Sequence, residues 1–183
     1  MTELSYDRMI NINAEGDKNT SFNIGVWQGN VSLTVFSNRN NVVRIPMNRT
    51  FQVSLMHELQ KLLTGKPGDK ESWNFSKWDP ETKKSVPVGA VVVGRDDKAM
   101  FYIGVQSSGH APMKFLLKAP ISFDMSSPMS DVKRSELAAA TIVEQLRIDI
   151  PHACMNTSFK RTDVRTGTGA SQSHSNTSDI SFF

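Results

Sequence analysis

SFNIGVWQGNVSLTVFSNRNNVVRI, residues 21–45, alternates apolar and polar positions with a period of two. Phe22, Ile24 and Val26 point one way, and Asn23, Gly25 and Trp27 the other. Gln28-Gly29-Asn30 reads as a turn. Val31, Leu33 and Val35 then alternate with Ser32, Thr34 and Phe36, and a second, Asn-rich turn spans residues 37–41. Val43 and Ile45 flank Arg44. Successive side chains of a strand leave on opposite faces, so this pattern predicts an antiparallel meander of three strands with one apolar face.

The flanking sequence extends the plan in both directions. Residues 1–20 are polar and weakly patterned, with one short edge strand expected at Met9-Ile10-Asn11-Ile12. After the meander a helix is expected, capped by Asn48 or Thr50, with Leu55, Leu59, Leu62 and Leu63 as its apolar stripe and Gly65 as its stop. Residues 65–71 form a charged, Gly/Pro-rich linker. Strand patterns return at Trp73-Asn74-Phe75, at residues 86–93, at 99–105 and at 113–117. A long helix follows from about Ser130 to Ile150, with Val132, Ala139, Val143, Leu146 and Ile150 facing the core and Pro151 ending it. Each half therefore reads as strand-strand-strand-helix. The expectation is an α+β domain over residues 1–155, with antiparallel sheets backed by two helices in pseudo-duplicated halves, about 1–65 and 71–151. Residues 156–183 are left as a tail.

Composition narrows the function classes. A chain of 183 residues with one cysteine, Cys154, has no intrachain disulfide framework. No apolar run reaches membrane-spanning length, which predicts a soluble intracellular protein with no membrane partner. Net charge is only +3, and the cations lie along the strand segments and their turns. His57-Glu58 has no second His at metalloprotease spacing, and His152 with Cys154 lacks the further ligands a zinc site needs. Phosphate-binding glycine motifs are missing too. The expectation is a protein that is not an enzyme, with no cofactor and no metal.

The outward strand positions are the candidate site. By the alternation, Trp27, Thr34, Phe36, Arg44, Tyr102, Lys114 and Lys118 project away from the helix-packed side. Trp73, Lys77, Trp78, Lys83 and Lys84 cluster on the hairpin after the linker, and Arg39 sits in a meander turn. Rings interleaved with cations suit an unstacked polynucleotide, because bases stack on the rings while Lys and Arg neutralise phosphates. Reading of duplex DNA would call for a basic helix, whereas the cations of the second helix, Lys133, Arg134 and Arg147, are balanced by Asp131, Glu136, Glu144 and Asp149.

The tail completes the sequence reading. Residues 166–183, TGTGASQSHSNTSDISFF, hold too little apolar surface to offset ordering, which predicts a flexible tether. It closes on an acidic-then-aromatic plug, Asp179-Ile180-Ser181-Phe182-Phe183. This arrangement resembles the single-stranded DNA-binding proteins of bacteria and their phages, which end in a low-complexity linker and an acidic tip closing on Phe. Asp179, Ile180 and Phe183 match that tip, with Ser181 where Pro is usual and the Phe doubled at Phe182. The repeated strand-and-helix unit looks more like the Whirly-type single-stranded DNA-binding fold than a five-stranded oligonucleotide-binding barrel. In its size, its asparagine-rich turns and its lack of an enzyme motif the chain is also similar to the single-stranded DNA-binding cofactors with which schitovirus-type phages recruit their RNA polymerase to melted promoters. The resemblance implies a phage protein of replication or transcription, acting in the host cytoplasm. Its partners would be single-stranded DNA and, through the tail, a phage RNA polymerase or replication proteins, with a homo-oligomer as a further expectation. Two other readings stand beside it. One is a phage structural or assembly protein whose aromatics build subunit contacts. The other is a small-molecule or catalytic cleft around His110, His152 and Cys154.

Overall fold

The computed structural model describes residues 7–14, 17–119 and 128–155. The fold is α+β, with two four-stranded antiparallel sheets and two helices. Strands β1 (Asp7–Ala14), β2 (Asp17–Trp27), β3 (Asn30–Ser37) and β4 (Asn40–Pro46) form the first sheet in sequential order, followed by helix α1 (Arg49–Leu62). Strands β5 (Lys70–Asp79), β6 (Lys84–Arg95), β7 (Phe101–Ser107) and β8 (Met113–Leu116) form the second sheet, followed by helix α2 (Asp131–Glu144). Each half thus carries four strands, one more than the strand-strand-strand-helix unit, and all eight fall on segments whose pattern was read as strand. The added strand of the first half is β1, which outgrows the short edge segment around Met9 and pairs with β2 along its length, with shifts of register after Arg8 and Asn13. In the second half β5 covers the segment expected at Trp73-Asn74-Phe75 and starts earlier, at Lys70, inside the expected linker.

The turns follow from local chemistry. Gln28 and Gly29 both take positive φ, 49° and 79°, as do Asn38 and Arg39, 51° and 67°. Two successive left-handed residues match the right-handed twist of the strands they join, which permits the two-residue hairpins β2–β3 and β3–β4. The β5–β6 turn is held by Asp79, whose carboxylate accepts from the Glu81 amide at 3.1 Å and from the Thr82 hydroxyl at 2.6 Å. Asn48 caps α1 by accepting from the Phe51 amide at 2.8 Å, and Ser130 caps α2 by accepting from the Lys133 amide at 3.2 Å.

Helix α2 does not end at Pro151 as the sequence suggested. It widens into a π-turn over Gln145–Asp149 and continues in helical geometry to Met155. The Ile150 amide reaches back five residues to the Gln145 carbonyl. Proline has no amide hydrogen to donate, and the widened turn absorbs the shift that its ring would impose on a regular α-helix.

One apolar core joins all of this. Phe22, Ile24, Leu33 and Val35 from the first sheet, Val91, Phe101, Ile103 and Phe115 from the second, and Leu55, Leu59, Leu146 and Ile150 from the helical segments belong to a single buried cluster. The rings of Phe22 and Phe115 meet across the sheets at 5.6 Å. Ser135 of α2 accepts from the Phe101 amide at 2.8 Å, and the Gln145 side chain donates to the Met9 carbonyl at 3.0 Å. The buried guanidinium of Arg95 donates to the Gly65 carbonyl at 2.8 Å and lies over the Phe101 ring at 4.9 Å.

Because the two sheets share this core, they should unfold together. Phe115→Ala is expected to cost about 3–5 kcal/mol. Circular dichroism and tryptophan fluorescence should trace one coincident urea transition, for the variant as for the parent. Two separated transitions would show that the halves are independent units.

Candidate nucleic-acid interface

Register decides which side chains face outward. In the first sheet Asn23, Thr34 and Arg44 lie abreast across β2, β3 and β4, with Gly25, Ser32 and Pro46 as the next row. Ser21, Phe36 and Asn41 form the row on the other side. Apart from Asn41 these positions alternate with the core residues Ile24, Leu33 and Ile45, so they lie on the face away from the core, and the register shift after Val35 brings Asn41 abreast of Phe36. Trp27, Ser32, Thr34, Phe36, Asn41 and Arg44 line a recess of about 250 Å³ there, its floor made of small polar side chains and its rim of two rings and a guanidinium.

A second recess, also about 250 Å³, lies where the β5–β6 hairpin approaches the end of β4. Arg44 and Pro46 line it from the first sheet, and Phe75, Ser76, Lys77 and Trp78 from the hairpin. Arg44 therefore belongs to both recesses. Trp78 is 55% exposed, more than any other aromatic ring in the described core and sheets. A register shift between Phe75 and Ser76 bends β5 at this point, which separates the inward Phe75 from the exposed Lys77 and Trp78. Lys83 and Lys84 close the same hairpin at its exposed turn, with Lys83 held at a φ of 51°. The Thr82 hydroxyl, and after it the Glu81 amide, hold the Asp79 carboxyl below its ordinary value, so this turn keeps a fixed charge and a fixed shape.

The other expected residues are placed differently. Trp73 is not on the outward face. It sits on the core side of β5, abreast of Val91 and Val105, with its ring edge-on to Phe51 at 5.4 Å and its indole N–H donating to the Ser54 hydroxyl at 3.0 Å. Tyr102 and Lys114 do face outward from the second sheet, in a groove of about 690 Å³ floored by Ser72, Ala90, Val92 and Gly104. The Lys114 ammonium, however, lies 3.1 Å from the Asp96 carboxylate and 4.6 Å from the centre of the Tyr102 ring. Lys118 is likewise paired, 3.0 Å from Asp131, and that bond is the leading cause of a lowered Asp131 carboxyl. By contrast Arg39, Arg44, Lys83 and Lys84 make no ion pair among the described residues. Lys114 and Lys118 are thus neutralised, whereas Arg39 on the β3–β4 turn, Arg44 on β4 and Lys83 and Lys84 at the hairpin tip keep their charges uncompensated by an ion pair.

Residues outside the expected set also matter. Ser32, Asn41, Pro46 and Ser76 line the two recesses. The alternation puts Ser32 on the outward face, but the approach of the hairpin to β4 is tertiary and has no local signal. The tail residues Asp179, Ile180, Phe182 and Phe183 lie outside the described residues.

The residues of the rival cleft have separate surroundings. His110 lines a recess with Ala14, Asp17 and Lys114, in which neither His152 nor Cys154 takes part. Burial pushes the Cys154 thiol up, against the pull of the Arg49 charge. Among the described residues no three His, Cys, Asp or Glu side chains are grouped to hold a metal ion.

Comparison with known proteins adds no family assignment: no family model, no curated protein and no solved structure matches the chain.

The Asp96 anchor gives a pH test. Burial raises its carboxyl, but the Met100 amide, the Lys114 ammonium and the Lys98 amide together outweigh burial and hold it below 3.8. A depressed folded value means stability that is present above the unfolded value and lost as pH falls through the folded one. Asp96→Asn should therefore lower Tm at neutral pH, and the gap to the parent should close as pH drops below 3.8, followed by calorimetry. A gap that persists unchanged in acid would show that the charge contributes nothing.

Proposed function

We propose that this is a single-stranded DNA-binding protein of a bacteriophage, acting in replication or as a transcription cofactor. The observation that carries the reading is the position of Arg44, shared by the recess rimmed by Trp27 and Phe36 and the recess rimmed by Lys77 and Trp78. One strand crossing both would stack bases on Trp27, Phe36 and Trp78 and pass its phosphates over Arg44 between them. Arg39, Lys77, Lys83 and Lys84 would extend the basic track at either end. Lys114 and Lys118 drop out of the phosphate contacts, since Asp96 and Asp131 already hold them. Trp73 drops out of the stacking set because its face is spent on Phe51.

Open rings with a tracking groove suit single strands, and they favour sequence-tolerant binding. A duplex would need an element shaped for a groove, and α2 presents a face of internally paired charges, Lys133 with Glu136 and Arg147 with Glu144. The resemblance of the terminal tip and of the repeated unit to phage single-stranded DNA-binding proteins supports the same reading. On it, the tail brings a phage RNA polymerase or replication protein to the bound strand in the host cytoplasm. Among the described residues no helix is long and apolar enough to cross a membrane.

Titration of intrinsic fluorescence with oligo-dT at several salt concentrations tests the proposal. Engagement of three or four of the cations Arg39, Arg44, Lys83 and Lys84 implies a log–log salt slope of roughly −2 to −3. Arg44→Glu should weaken binding and flatten that slope, Trp78→Ala should cost about 1–3 kcal/mol of binding, and Lys114→Ala should leave the slope where it was. Affinity indifferent to ionic strength, or equal for duplex DNA, would count against it. An assembly protein that uses the same rings for subunit contacts would instead run as a large oligomer in size-exclusion chromatography and ignore oligo-dT.

Deleting residues 166–183 should leave Tm and oligo-dT affinity of the body in place while abolishing binding to the phage polymerase or replication partner. A lower Tm on deletion would assign the tail a structural role instead.

A further inference from the structure

The floor of the first-sheet recess carries an anomaly that stacking and phosphate contacts leave unexplained. Ser32 and Thr34 are only 5% and 3% exposed, yet both line the recess. Neither hydroxyl has a hydrogen-bond partner among the described residues. Beside Thr34, in the same row, the Asn23 side chain is fully buried. Its amide nitrogen donates to the Ser21 hydroxyl at 3.1 Å, while its Oδ1 has no partner. Other buried hydroxyls of the protein are satisfied: Thr20 bonds Asp17 at 2.6 Å, and Ser135 accepts from Phe101 at 2.8 Å. Buried polar groups are nearly always paired, so the orphaned Asn23 Oδ1, beside two hydroxyls that open on the recess without a partner among the described residues, points to a polar group that arrives from outside.

We propose that this recess reads the pairing edge of an unpaired nucleobase. The inference rests on the reading of the protein as a single-strand binder and adds to it a point of base recognition. The chemistry of the site selects the ligand class. Trp27 and Phe36 supply apolar faces for a flat ring. On the recess floor Ser32 and Thr34 can each donate or accept, and the acceptor Asn23 Oδ1 lies behind them in the row of Thr34, so a ring edge that carries donors and acceptors side by side fits. Arg44, abreast of Thr34 in the register, is the neighbouring charge for that nucleotide's phosphate. Thymine fits this demand: its N3–H would meet an acceptor of the floor and its two carbonyls would accept from the hydroxyls. Extrusion of a base onto polar side chains between aromatic walls is how proteins read an unstacked base. A polar edge seated there removes the deficit, and an edge that cannot hydrogen-bond leaves it.

The experiment compares oligo-dT with the same oligomer built from N3-methylthymidine. Methylation keeps the ring and the phosphates and blocks the donor of the pairing edge. The parent protein should bind the methylated strand about tenfold more weakly, ~1.4 kcal/mol. Ser32→Ala with Thr34→Val should bring the two affinities together while leaving the salt slope unchanged, whereas Thr34→Ser, which keeps its hydroxyl, should discriminate as the parent does. Circular dichroism melting of each variant confirms that the sheet is intact. If the parent binds both strands equally, or if the double variant still discriminates, edge reading is overturned and single-strand binding survives. If neither oligomer binds at all, the functional reading falls with it.

Discussion

Everything outward on this protein is set by what the inner faces must bury. Phe22 and Phe115 meet at the centre of one core that draws on both sheets and on both helices. A strand has only two faces, and a sheet that spends one on such a core has no freedom over which residues populate the other. A one-residue slip in β3 would carry Leu33 and Val35 out of the apolar core and Thr34 into it, a loss no surface contact offsets. The hydrophobic demand of the core thus fixes Trp27, Thr34, Phe36 and Arg44 on the face away from it with the accuracy of the pleat.

The second constraint is electrostatic. The chain carries 21 basic and 18 acidic side chains, so its excess is too small to make a basic surface everywhere. Pairing makes the difference local. Asp96 and Asp131 engage Lys114 and Lys118 on the second sheet, and Glu136 reaches both Arg95 and Lys133. Among the described residues Arg39, Arg44, Lys83 and Lys84 on the β3–β4 turn, on β4 and at the hairpin tip are left without an ion pair, as are Lys18, Lys66, Lys70 and Lys98 elsewhere. Field strength at a surface depends on such local surplus far more than on net charge, since screening removes distant contributions within about 10 Å at moderate salt.

Much of the fold was legible where one face of a strand is apolar and the other polar. The strands from Phe22 to Ile45 alternate cleanly for that reason, although residues 22–26 of β2 and 31–35 of β3 are buried on both faces, and the cap at Asn48 follows from a single residue. Legibility failed where that asymmetry weakens. β5 is exposed along most of its length, so the pattern from Lys70 to Ser72 reads as linker. Pro151 reads as a stop because sequence carries no sign of the π-turn ahead of it. At the site, the alternation supplied Trp27, Phe36 and Arg44. It did not reveal that Trp73 turns inward to Phe51 and Ser54, nor that Lys114 and Lys118 find acids 18 and 13 positions away along the chain. Those outcomes depend on contacts between elements, as does the approach of Trp78 to Arg44, and no local window contains both partners.

The three tryptophans offer the most direct measurement. Their indole N–H groups give separate signals in a two-dimensional NMR spectrum, and the structure divides them between the two faces: Trp27 and Trp78 rim the outward recesses, while Trp73 donates inward to Ser54. Addition of a short single-stranded oligonucleotide should shift the signals of Trp27 and Trp78 together and leave that of Trp73 in place. A spectrum in which Trp73 alone moves, or in which none of the three responds at saturating oligonucleotide, would contradict the assignment of the outward face as the binding surface.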